Sequence, residues 1–511
     1  MYSVQALAAD VTIGMRAEQQ SMDPHYLWGF TNSQNYYHFL GYMVRIQPDG
    51  SLAPSIATEW SPEGDKGWLF KLNPNARFSN GDPITPEDVI ASYRRAMNYP
   101  GGGLRGLFAL IADFEVVDPH TLRIVTKRPD PYMPYKLTQV AVIPKSIAEK
   151  AQGKDFLLPA DQVSGGPYEI VRYQPGAELV LKANPYYWEK PRWDHVTIKY
   201  IPNDSARVAA LMTGAVDVID GVQPDDAAEI DKKDNLHTVS GPGSRMIYFN
   251  MDQSRAITPD VTDNDGKPLA KNPFQDLRIR QAIAYAIDRQ GIVSHVMHGK
   301  GGVLTQMGVK GQGGYDPDMP KIPYDPDQSR KLLKEAGYPD GFRMKITCPS
   351  GYLVNDSLIC QAVGQMLARV GIKTAVDVMP WSVLVTRVTC HCDRRPSFFM
   401  APWSNAYLGE VGAALSNLLH SYDKKTGAGG WNQGEFPSTP ELDALIDEAA
   451  TTIDAEKRHA LQKKAMRMAM AEMPVIPLHY QAVTLASRKN LTPSPYTIEY
   501  TIAESINVSK E

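Results

Sequence analysis

Residues 164–220, "SGGPYEIVRYQPGAELVLKANPYYWEKPRWDHVTIKYIPNDSARVAALMTGAVDVID", decide the fold class. The stretch reads as strand, turn, strand, loop, strand, helix, strand. Val196, Ile198 and Tyr200 alternate on the third strand. Asp204 is expected to cap a short helix that carries Val208, Leu211 and Met212, and Gly214 stops it. Val216 and Val218 then re-enter a sheet. A strand–helix–strand order implies a parallel pairing, and hence an α/β fold.

Working outward, residues 75–98 give a turn at Asn80–Pro83 and a helix with Thr85 as N-cap, Pro86 at its first position and Glu87 and Asp88 at its positive end. Residues 114–129 read as strand, Asp118-Pro119 turn, strand. Residues 276–298 carry two consecutive helical patterns. Residues 327–337 and 356–371 are amphipathic helices ended by Gly337 and Gly371, with a strand candidate at 342–348 between them. Near the end, Pro440 starts one helix, Asp454 caps another, and a short buried strand follows. Two α/β regions result, one centred on 160–240 and one spanning roughly 245–475. "HTVSGPGSRMIYFNM" (237–251) is the expected crossing between them, and the strand around 475–487 the return.

Length and composition agree with a globular protein of two or three domain-sized parts. The chain has 511 residues, 43% hydrophobic and 22% charged. A net charge of −4 gives no electrostatic reason to expect nucleic acid or an anionic membrane as partner. No apolar run approaches the ~20 residues of a membrane-spanning helix. Tyr (25) and Trp (8) together outnumber Phe (13), a bias that suits a wet binding cleft. Ala6-Leu7-Ala8 before Ala9-Asp10 matches the small-residue end of an export signal, so Met1–Ala8 is expected to be a signal-peptide remnant. No lipid-attachment cysteine lies near the start. Four cysteines, Cys348, Cys360, Cys390 and Cys392, leave two bridges, one bridge or free thiols open.

Taken in order, several segments resemble one family, the extracytoplasmic solute-binding proteins of peptide, nickel and opine ABC transporters (family 5). They are "SMDPHY", "GYMVRIQPDGSLAPSIATEWSPEGDKGWLFKLNPNARFSNGDPITPEDVIASYRRA", the stretch from Gly165 to Val222, "DLRIRQAIAYAIDRQGIV", "YDPDQSRKLLKEAGYPDGF" and the Pro474–Tyr480 strand. The resemblance implies a two-lobed periplasmic-binding-protein fold with a cleft between the lobes and two hinge strands. Lobe one would comprise 9–44, 161–243 and 482–511, with an extra subdomain at 45–160; lobe two would be 244–481. It implies a periplasmic, monomeric carrier that closes on a small solute and delivers it to ABC permease subunits. No cofactor, resident metal or enzymatic activity is expected. The G-x-S-x-G, H-E-x-x-H and G-x-x-x-x-G-K-[ST] patterns of a competing class, such as a secreted hydrolase, do not occur.

In peptide-binding members an Asp three residues after a lobe-two Trp anchors the ligand's ammonium. Counted from Trp403 in "APWSNAYLGE" (401–410), that place holds Ala406. A buried ammonium without a counter-charge is costly, so a small polar solute is expected: an opine, a sugar-containing compound or a modified peptide. An ordinary di- or oligopeptide is the alternative, with Glu410 as a compensating acid, and a nickel–chelator complex near His420 a further one. Trp403, Asn405 and Tyr407 are the lobe-two candidates for ligand binding, and Tyr26, Trp28 and Asn32 in "DPHYLWGFTNSQNYYHF" (23–39) the lobe-one candidates. Arg245, on the strand leaving the crossing, suits a carboxylate or phosphate. Cys390-His391-Cys392 has no second ligand pair at zinc spacing, so it is read as a turn and not a metal site.

Overall fold

A glycine pair opens the decisive stretch for a packing reason. A Cβ on Gly166 would lie 2.7 Å from the carbonyl carbon of Phe39, and the Gly166 N–H bonds the Phe39 carbonyl at 3.1 Å. Only glycine lets these two backbones meet. The computed structural model describes residues 9–26, 30–100, 104–150, 156, 163–390, 395–432 and 435–509. Residues 1–8, where a signal remnant is expected, and Trp28 lie outside them. The chain divides into two compact units: unit 1 is Met1–Gly241 with Val483–Glu511, and unit 2 is Pro242–Ala482.

Unit 1 begins with β1 (Asp10–Met15) and α1 (Phe30–Phe39). Strands β2 (Ala57–Glu63) and β3 (Gly67–Leu72), helix α2 (Pro86–Asn98) and strands β4 (Ile111–Asp118) and β5 (Thr121–Thr126) follow. These four strands form their own antiparallel sheet, in the order β2-β3-β5-β4. Helix α2 starts as its sequence dictates. Thr85 accepts from the Asp88 N–H, and the Asp88 carboxylate returns a bond to the Thr85 N–H, a reciprocal cap with Pro86 just inside.

The decisive stretch becomes β6 (Tyr168–Gln174), β7 (Glu178–Ala183), β8 (His195–Tyr200), α3 (Asp204–Met212) and β9 (Val218–Ile219). The two strands flanking α3 do run parallel, but they are not neighbours. β1 lies between them, pairing with β8 from Asp10↔His195 to Met15↔Tyr200 and with β9 at Ile13↔Val218. The cap of α3 is Asn203, whose side chain accepts from the Ala206 N–H. Asp204, one residue on, binds the buried Arg207 at 2.7 Å.

Two long strands run from one unit into the other. β10 (Leu236–Met251) leaves unit 1, and the strand Val475–Arg488 returns to it. Unit 2 then contains α4 (Leu277–Ala286), β11 (Gly301–Val303), α5 (Pro326–Glu335), β12 (Arg343–Ser350), α6 (Asp356–Ala368), β13 (Lys373–Pro380), α7 (Trp381–Val388), β14 (Phe398–Ser404), α8 (Pro440–Thr451), α9 (Ala455–Ala471) and β15 (Val475–Arg488). The expected second helix after α4 is only a short turn, Arg289–Gly291, continued by a wider π-type turn. β12 and β13 pair in parallel through α6, from Arg343↔Lys373 to Ser350↔Pro380. A Cβ on Gly341 would sit 2.0 Å from the Gly371 carbonyl oxygen, so the turns entering the two strands need glycine at this contact.

β10 and β14 are antiparallel, Arg245 facing Ser404 and Met251 facing Phe398. Their near-continuous apolar runs serve two faces. Ile247, Phe249, Met251, Phe398 and Met400 enter one core; Met246, Tyr248, Phe399 and Ala401 enter the other. A period of two thus fills both sides of one sheet. Cys348 of β12 and Cys360 of α6, both fully buried, form a disulfide. Cys390 is also disulfide-bonded, while His391 and Cys392 lie outside the described residues.

Candidate functional site

The surface built around Trp403 belongs to unit 2. Trp403 stands half-buried near the end of β14, and its indole N–H donates to the Asn405 side-chain oxygen at 2.9 Å. That oxygen also accepts the Ala414 N–H at 3.0 Å. The Asn405 amide N–H₂ donates to the Met307 carbonyl at 3.0 Å and to Gln312 at 3.1 Å. Four bonds satisfy the buried amide. Asn405 therefore fixes the ring of Trp403, a different role from the ligand contact its sequence suggested. Tyr407 is half-buried and accepts from the Asn417 amide at 3.3 Å; burial pushes its hydroxyl up to about 12.

Trp403 opens a row of rings. Its centroid lies 6.0 Å from that of Trp431, Trp431 lies 6.4 Å from Trp381, and Trp381 stacks on Tyr352 at 4.9 Å with planes 3° apart. The Trp431 N–H donates to the fully buried Tyr248 hydroxyl at 2.6 Å. Arg395 donates to the Trp431 carbonyl at 3.2 Å. At the far end the Arg245 guanidinium lies 5.4 Å from the Tyr352 ring centroid, cation-π distance. Tyr352 is 44% exposed, and the three indoles are half-buried against the core beneath.

Glu410, the acid expected as a substitute ammonium anchor, is engaged elsewhere. It is 4% exposed and takes two bonds from Arg458 (2.9 and 2.7 Å), one from His459 (3.1 Å) and one from Gln462 (2.9 Å). Burial alone would raise its pKa. The bonds from His459 and Arg458 outweigh burial and hold it down at about 2. His420 is buried with Asp443 and Asp447 at 3.7 and 3.6 Å, and its Nδ1 bonds the Ser421 carbonyl. Among the described residues no group of three or more His, Cys, Asp or Glu side chains could hold a metal ion.

In unit 1, Tyr26 is 46% exposed and meets Tyr99 edge-on, centroids 6.1 Å apart. The Arg95 guanidinium lies 5.1 Å from the Tyr99 ring and grips the buried Asp23 carboxylate through two 2.7 Å bonds. Tyr26, Ile90, Arg94, Arg95, Tyr99 and Lys145 line a pocket of about 920 Å³ along α2. Asn32 is buried and accepts the Gln20 N–H at 2.7 Å.

The structure thus brings Trp403, Asn405 and Tyr407 together in one unit, with Arg245 at the end of the same aromatic row. It gives Tyr26 a pocket in the other unit. Sequence reasoning missed Tyr352, Trp381 and Trp431 in unit 2 and Arg95 and Tyr99 in unit 1. A signal existed for Trp431: a large ring in the glycine-rich "GAGGWNQGEF" is out of place in a solvated loop.

Two α/β units joined by two long strands, with an aromatic row in unit 2 whose Trp403 and Trp431 N–H groups are bonded within the protein, define the class of two-lobed solute-binding proteins. The chain belongs to the bacterial extracellular solute-binding proteins, family 5, whose middle-region profile matches residues 51–426. It is 27% identical over 501 residues to the glutathione-binding protein GsiB of Salmonella typhi, covering 95% of this chain and 92% of that one. It is 25% identical to di/tripeptide-binding protein 2 of Pseudomonas aeruginosa, covering 96% and 93%. Among solved structures, HbpA2 from Haemophilus parasuis superposes with a TM-score of 0.82 at 20% identity, covering 98% of this chain and all of that one.

Proposed function

We propose that this chain is the periplasmic binding component of an ABC importer, and that its solute is a short peptide or peptide-like amide. It captures the solute by lobe closure, as a monomer and without turnover, and delivers it to permease subunits in the inner membrane. The names of its relatives favour a peptide-type solute over an opine or a sugar compound. What carries the peptide-type reading is the likeness, over nearly the whole chain, to a glutathione-binding and a di/tripeptide-binding protein. The neutral receiver in unit 2, with Ala406 where peptide-binding members place an acid and Glu410 held by Arg458, His459 and Gln462, argues against a ligand anchored by a free ammonium. Trp403, Tyr407, Arg245 and Tyr26 are the ligand-facing candidates. An unpaired buried ammonium costs several kcal/mol, so the amino end of the solute is acylated or stays in water.

Native mass spectrometry of protein purified from its own host weighs the trapped solute directly. A thermal-shift panel of tripeptides, glutathione, N-acetylated tripeptides, opines and disaccharides then ranks the classes. The expected result is a rise in Tm with peptide-type compounds and no product. Stabilisation by opines or disaccharides alone overturns the reading.

A further inference from the structure

Beyond this reading, and resting on it, we infer that the row Tyr352–Trp381–Trp431–Trp403 is a subsite for a flat aromatic group of the solute. The preferred ligand is then a short peptide carrying an aromatic side chain. Three observations converge.

The first is continuity. Successive centroid distances of 4.9, 6.4 and 6.0 Å link four rings drawn from four separate segments, all half-buried or exposed above an apolar core. Large rings held partly in water cost hydrophobic free energy, and a contiguous apolar patch of this kind marks a binding surface.

The second is rigidity. Trp403 is fixed through Asn405, and Trp431 through the Tyr248 hydroxyl and the Arg395 bond to its carbonyl. Tyr352 lies inside the loop closed by Cys348–Cys360, and its N–H bonds the buried Asp356 carboxylate at 3.1 Å. Rings fixed before the ligand arrives lose little freedom on binding.

The third is chemistry. The N–H groups of Trp403 and Trp431 point back into the protein, so these indoles offer a ligand π faces and edges and no donors. A hydroxyl-rich sugar needs a dense set of free polar partners, whereas a planar apolar group needs offset or edge-to-face ring contact, which these spacings provide. The Arg245 guanidinium over Tyr352 adds a fixed positive charge at one end of the row.

Isothermal titration with Ala-Phe-Ala and Ala-Ala-Ala, each free and N-acetylated, and with cellobiose, alongside intrinsic tryptophan fluorescence, tests the inference. Ala-Phe-Ala is expected to bind at least tenfold more tightly than Ala-Ala-Ala and to perturb the emission more. Trp381→Leu is expected to bring that ratio close to one, and Trp381→Phe, which keeps a ring, to retain most of it; circular dichroism verifies that both variants fold. Equal affinity for the two tripeptides overturns the aromatic subsite and leaves the peptide reading standing. Binding of cellobiose in place of both tripeptides, or binding of neither tripeptide in either the free or the N-acetylated form, overturns the peptide reading and the subsite with it.

Discussion

Replacing Glu410 by Gln separates two roles that a buried acid near Trp403 in sequence can have. In the structure its carboxylate sits 4% exposed under four side-chain hydrogen bonds, two of them from Arg458, which is 6% exposed. Its pKa falls from the usual 4.5 to about 2. That is about two and a half decades, worth about 3 kcal/mol of folding stability at neutral pH. Leaving Arg458 without its acid costs about 3–5 kcal/mol by the general behaviour of broken buried pairs, so the two routes agree. Because the folded pKa lies below the unfolded one, the contribution is whole above pH 4.5 and is lost as pH falls towards 2. Urea unfolding of wild type and Glu410→Gln at pH 7, 4.5 and 2.5 should show a gap of about 3 kcal/mol that closes at the acid end. Solute affinity, measured where both proteins are folded, should be unchanged. A variant that keeps its stability but no longer binds peptide would falsify this account and make Glu410 the ammonium anchor.

Three more outcomes follow from particular groups. Trp403→Ala should weaken solute binding by about 2 kcal/mol, roughly 30-fold, by isothermal titration; an unchanged affinity removes Trp403 from the site. Opening the Cys348–Cys360 bridge, which spans 12 residues of sequence, by a double Ala substitution should lower unfolding stability by about 3 kcal/mol in denaturant, and a loss below about 1 kcal/mol refutes the estimate. His25, His38 and His479 are fully buried, and burial lowers each from 6.5 to about 4. The folded state then binds fewer protons than the unfolded one, so stability should be complete above pH 6.5 and fall as pH drops towards 4. His479→Phe should flatten part of that fall in a Tm-versus-pH series, and an identical slope counts against it.

Local signals were read correctly where the causes are local. Thr85, Pro86 and Asp88 announce α2 because a capping box lies within four residues, and Asp454 announces α9 by a side chain that accepts the Lys457 N–H three residues on. The crossing at 237–251 was legible because it lies between two α/β patterns, and a strand spans Leu236–Met251 there. The place of β1 was not, since its neighbours Val196 and Val218 are far away in sequence and nothing between residues 10 and 15 names them. The site shows the same division. Trp403 was visible beside a family signature. The rings that continue its row come from segments around 352, 381 and 431, and only tertiary packing aligns them. The surroundings of Asn405 were hidden for a related reason: the partners that bond its amide, Met307, Gln312 and Ala414, arrive from elsewhere in the chain or from a later turn.

Unit 1 is finished by the end of the chain, and this governs when it can fold. Ser487 and Ala486 close the sheet against Val218 and Ile219, and the Ala503 N–H meets His38 while its carbonyl receives the Trp193 indole. All of unit 2 is synthesised before those partners exist. A nonsense mutation ahead of Val483 would therefore injure the N-terminal half first, although every residue of that half had already been made.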